Sequence, residues 1–87
     1  MNAIEKIRQS LASLGPEQVE IADDSALHAG HAGAKDGGGH YRLTIVSRRF
    51  AGLNTMQRHR LVYTALGTLM KSEIHALSIN ARAPDEA

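Results

Sequence analysis

The sequence predicts an α+β domain: a three-stranded mixed sheet packed against helices, in the order helix, strand, strand, helix, strand. Three observations predict it. Apolar residues recur at helical spacing twice, as Ile4, Ile7, Leu11 and Leu14 and again as Leu61, Val62, Ala65, Leu66 and Leu69. Three short segments, Gln18 to Ala22, Tyr41 to Ser47 and Ile74 to Asn80, carry the alternation or β-branching of strands. A chain of 87 residues has room for one core, so residues 1–87 form a single domain.

The first helix runs from Asn2 to Leu14, with Asn2 and Glu5 at capping-box spacing and Gly15-Pro16 as its stop. In the first strand Val19 and Ile21 face one way, and Gln18 and Glu20 the other. Asp24 to Gly39 holds five of the eight glycines and two histidines. A hairpin needs far fewer residues, so this stretch reads as a mobile, functional loop. The second strand is rich in β-branched residues at Thr44, Ile45 and Val46. The second helix begins at Asn54, with Gln57 completing a capping box. The third strand follows a tight turn, and the intervening helix makes the last two strands parallel if they are neighbours. Residues 81–87 read as a frayed tail.

Composition narrows the chemistry. The chain has no cysteine, which excludes disulfides, a thiol nucleophile and a metal site built on its own thiolates. No signal-peptide pattern and no apolar run of membrane-spanning length is present, so a cytoplasmic protein with no membrane partner is expected. The net charge is +1, yet residues 1–40 balance to −3 and residues 41–87 to +4. Such asymmetry can orient a partner, and it also fits an ordinary solvated surface. No nucleophile elbow, Walker loop or HExxH occurs, so no enzyme is expected. Gly30-His31-Ala32-Gly33 matches the Gly-x-x-Gly of nucleic-acid-binding KH domains by letters, but it lies between two strands instead of two helices.

The candidate functional residues are histidines and arginines. His28 and His31 lie on the glycine-rich loop, as soft enough donors for a transition metal or as plain polar loop residues. His75 shares a strand face with Leu77 and Ile79, which suits a part-buried ring, but it opens the strand and can reach the sheet's rim. Two imidazoles without a thiolate make an incomplete iron–sulfur site, which a partner's cysteine would complete. Arg48, Arg49, Arg58 and Arg60, with His59, form a candidate basic surface for phosphate or an acidic protein. Arg58 falls within the apolar arc of its helix and must snorkel or meet a partner.

Ser47-Arg48-Arg49-Phe50-Ala51-Gly52-Leu53, Gln57-Arg58-His59-Arg60-Leu61-Val62-Tyr63 and Ile74-His75-Ala76-Leu77-Ser78-Ile79, in this order, resemble the BolA family. The resemblance covers nearly the whole chain and implies a fold similar to class II KH domains. It implies pairing with a monothiol glutaredoxin, either without metal or through a shared [2Fe-2S] cluster held also by glutathione. None of that cluster is expected in the isolated chain, which is expected to be a monomer or weak homodimer. His75 matches the family's C-terminal histidine ligand. The loop ligand is His28 counted forward from Asp24-Ser25, or His31 counted backward from His40. His40 and His59 look structural or part of a partner surface. Some members are DNA-binding regulators of transcription, which is the alternative expectation.

Overall fold

The computed structural model describes residues 2–24 and 39–87. The glycine-rich loop expected at 24–39, with His28 and His31, therefore lies outside the described residues except for its two ends.

Helix α1 spans Ala3–Leu11, and the Asn2 side chain accepts the Glu5 N–H at its start. A 3-10 turn, Ala12–Leu14, carries the chain to Gly15, whose φ of 57° ends the helix in a left-handed cap. Strand β1 is Gln18–Asp23 and β2 is Gly39–Val46. A 3-10 turn at Arg48–Phe50 leads to α2, Thr55–Leu66, capped by the reciprocal Asn54–Gln57 box. Gly67, with φ 56°, closes α2, and a separate four-residue α3, Leu69–Ser72, follows. The apolar stripe expected to run through Leu69 on one helix is thus divided between two. Strand β3 spans Ile74–Arg82.

The sheet order is β1-β2-β3, with β1 antiparallel and β3 parallel to β2. The helical crossover between β2 and β3 is what permits the parallel pairing. Helices cover one face. Ile7, Leu11 and Leu14 meet Tyr41, Leu43, Ile45, Phe50, Val62, Leu66 and Ile74 in one apolar core. Burying each such side chain is worth roughly 1.5–3 kcal/mol, which is why so short a chain can hold these helices in place.

Buried Ser47 joins the layers. Its Oγ donates to the Leu14 carbonyl at 2.6 Å and accepts the Arg49 N–H at 3.1 Å. It thereby ties the 3-10 turn that follows α1 to the turn that bears Arg48 and Arg49.

The tail corrects the expectation of a frayed end. β3 continues to Arg82, Ala83 is buried, and Pro84–Glu86 form a 3-10 turn. The physical reason is an ion pair between Glu86 and Arg58, which sequence proximity could not reveal.

Candidate functional site at the sheet rim

Alternation along β2 places Tyr41, Leu43 and Ile45 in the core and His40, Arg42 and Thr44 on the uncovered face. Parallel pairing sets His40 beside Ala76 and Arg42 beside Ser78. Small residues on β3 next to large basic ones on β2 leave an open groove of about 330 Å³, lined by Asp24, His40, Arg42, Ala76 and Ser78 among others. Arg42 and Asp24 wall one side, joined by two hydrogen bonds of 2.6 and 3.3 Å.

At the head of the groove the register slips. Gly39 pairs with Ile74, but His40 pairs with Ala76, so His75 is one extra residue on β3. By strict alternation His75 would share the core side with Leu77 and Ile79. The bulge turns it out instead. His75 is exposed, and its ring lies against the His40 ring with centroids 5.1 Å apart and planes tilted by 46°. The reading of His75 as a part-buried ring does not hold; the rim position does. The contact that sequence reasoning missed is the one with His40, which was assigned there to structure or a partner surface. No sequence signal could have paired the two, because the contact depends on strand order and a one-residue slip.

Gly39 fits the same corner. A Cβ there would lie 2.5 Å from the Tyr41 ring. The Gly39 N–H donates to the Glu73 carbonyl at 3.0 Å, and the Glu73 carboxylate meets Lys6 at 2.7 Å. Burial, with Asp23 and Glu73 nearby, pushes the Tyr41 hydroxyl above its ordinary pKa.

The structure separates the candidate arginines. Arg48, Arg49 and Arg60 are exposed. Arg48 lies 4.0 Å from the Glu17 carboxylate, and Arg60 Nη2 donates to the Met56 sulfur at 3.9 Å. Arg58 is different: its side chain is 13% exposed. Its Nε donates to the Leu53 carbonyl at 2.9 Å, Nη1 to the Ala81 carbonyl at 3.0 Å, and Nη2 to Glu86 at 2.8 Å. The arginine in the apolar arc meets a partner within its own chain, and its planar fork is committed there. His59 is half-buried on α2. His28 and His31 lie outside the described residues, and among the described residues no group of three or more His, Asp or Glu could hold a metal. Also among the described residues, no helix is long and apolar enough to cross a membrane.

Comparison with known proteins finds consistent matches. A family profile described as BolA-like protein covers residues 11–86. The chain is 41% identical to Protein BOLA1, chloroplastic, of Arabidopsis thaliana, over 99% of this chain and 56% of that protein. It is 37% identical to the DNA-binding transcriptional regulator BolA of Vibrio cholerae, over 82% of this chain and 64% of that protein. Among solved structures, the BolA domain of SufE1 from Arabidopsis thaliana superposes with a TM-score of 0.83 at 44% identity, covering 95% of this chain and 93% of that one. The chain spans about half the length, or less, of the first curated relatives it matches.

Proposed function

The chain belongs to the BolA-like family, and from that premise we propose that it is a non-enzymatic adaptor for a monothiol glutaredoxin in the cytoplasm. Together they hold a [2Fe-2S] cluster. This chain supplies His75 and a loop histidine, His28 or His31, while the partner's cysteine and glutathione supply the thiolates. The observation that carries this reading is His75 itself: an exposed imidazole, turned outward by a bulge, beside a second imidazole on a chain with no thiolate.

The donor chemistry fits. Imidazole is a good ligand for iron, and histidine in place of thiolate raises a cluster's potential. When bound, the cluster supplies electron transfer or transferable iron and sulfide. The chain's own contribution is to orient His75 on rigid strand backbone.

The test is to mix the chain anaerobically with a monothiol glutaredoxin, glutathione, iron and sulfide, and to record visible circular dichroism. The expected result is a spectrum distinct from that of the glutaredoxin homodimer. His75→Ala should abolish that spectrum and leave the metal-free complex intact. An unchanged spectrum in His75→Ala removes His75 from the site.

A second reading, DNA binding in transcriptional regulation, draws on the Vibrio cholerae relative's name and on the exposed Arg48, Arg49 and Arg60. Arg58 contributes little to it, because its guanidinium is bound to Glu86. Duplex affinity should then fall steeply with salt, and replacing Arg48 or Arg49 by alanine should lower the salt slope by about 1 each. Sequence-independent binding that vanishes at moderate salt would dismiss this reading.

A further inference from the structure

We propose that the free edge of β3 docks a second copy of this chain, which adds its own β3 in antiparallel register about a two-fold axis at Ser78. The inference does not depend on the adaptor reading above.

β3 closes one end of the sheet order and pairs with β2 on one side only. Two hydrogen bonds fix which way its backbone groups point. The Arg82 carbonyl faces β2 and accepts the Ser47 N–H at 3.0 Å. The Ala81 carbonyl faces the other way and accepts from Arg58 Nη1 at 3.0 Å. Direction alternates along a strand, so the backbone groups of Leu77 and Ile79 also face away from β2. Among the described residues no strand pairs with them there.

The two edges of the sheet differ. β1 follows Pro16, carries exposed Glu20 and Asp23, and has its Val19 carbonyl taken by Arg8 Nη1 at 3.3 Å. Charge, proline and a covered backbone protect an edge against pairing. Ala76-Leu77-Ser78-Ile79-Asn80 on β3 has no charge and no proline, and Ala76, Ser78 and Asn80 are exposed. This opening is also bounded. The register slip at the His75 end interrupts it, and Arg58 on the Ala81 carbonyl ends it at the other.

Those bounds select both the occupant and its register. Rotation about Ser78 exchanges Leu77 with Ile79, so the outward backbone of each copy meets the outward backbone of the other. Leu77 then lies opposite Ile79 of the second copy on the helix-covered side, where both already pack against the core. On the uncovered side Ser78 meets its own counterpart, and no like charges oppose each other between Ala76 and Asn80. A two-fold pair closes on itself and does not grow into a filament. So short an edge falls below the ~1,200 Å² of a standard interface, so the dimer is weak and depends on concentration.

The test uses the full chain, by sedimentation equilibrium and amide NMR from micromolar to millimolar concentration. The mass should rise toward that of a dimer, and the Leu77 and Ile79 amide signals should shift with concentration. Ser78→Lys sets two ammonium groups against each other at the axis and should weaken association by about fivefold or more. Ser78 is exposed, and far-UV circular dichroism checks that the variant folds. Ser78→Cys places the only thiol of the chain on the axis, where facing Cα atoms would lie about 4.5 Å apart, within disulfide range. With oxidised glutathione it should cross-link about tenfold faster than Asn80→Cys, whose counterpart lies opposite Ala76 instead. The inference is overturned by a wild type that stays monomeric at millimolar concentration, by undiminished association in Ser78→Lys, or by equal cross-linking of the two cysteine variants. Edge amides that respond to added glutaredoxin and not to the chain's own concentration would give the edge to that protein and overturn the assignment to a second copy.

Discussion

Ser47→Ala tests how the two layers of this domain are joined. The hydroxyl is fully buried and serves two backbone groups, the Leu14 carbonyl at 2.6 Å and the Arg49 N–H at 3.1 Å. Alanine fits the space and leaves both without that partner. A buried acceptor stripped of its donor costs about 1–3 kcal/mol. Loss of a helix-cap acceptor typically costs about 1 kcal/mol, with the 3-10 turn at the low end. Sparing the hydroxyl's own desolvation returns part of this, so the net loss should be about 2 kcal/mol. For a domain of this size each kcal/mol lowers Tm by about 4–8 °C, which gives a fall of roughly 8–16 °C. The assay is urea denaturation with the slope m compared between variants, because a change in midpoint at constant m reports native stability. A loss below about 0.5 kcal/mol would refute the reasoning, since that is the scale of an ordinary surface substitution.

Three other perturbations test separate parts of the structure. Phe50→Ala empties a fully buried site between the helices and the sheet and should cost about 3–5 kcal/mol by the same denaturation assay; a smaller loss would mean the core closes over the gap. Gly39→Ala forces the buried Tyr41 ring aside and should cost about 1–3 kcal/mol, with altered His40 and His75 NMR signals; unchanged signals would separate that corner from the histidine pair. Glu86→Gln tests the tail. Arg58, together with the Ala83 N–H, lowers the Glu86 carboxyl from 4.5 to about 2. Its ionised form therefore contributes stability fully above the ordinary value near 4.5, and that contribution is lost as pH falls through about 2. The gap in Tm between wild type and Glu86→Gln should be constant above that range and shrink toward pH 2; a gap independent of pH would dismiss the ion pair.

Much of the fold was legible because its signals are local. The Asn54–Gln57 box needs three residues of separation, and the structure shows both of its hydrogen bonds. Strand alternation sets Val19 and Ile21 on one face of β1, and both pack against the core. Gly67 was the local signal that apolar spacing overrode: the stripe continues past it in sequence, while the backbone at φ 56° does not continue the helix. The tail was misread because small and acidic residues resemble a loose end when the arginine that holds them lies far back in the chain. That arginine carried a hint, since a charge in an apolar arc requires a partner, but the hint named no residue.

The sequence by itself determined the fold class, the layer order, the family and the candidacy of His75. Each depends on residue type and short spacing, which the chain states directly. Only the tertiary structure decided which side chains meet. It paired Arg58 with Glu86 and so removed one arginine from the exposed basic surface. It also set β3 parallel to β2 and slipped the register by one residue at Gly39, which brought His75 against His40. Ring contact requires strand order and register together, and both are set by how the helices and the sheet bury the core as a whole.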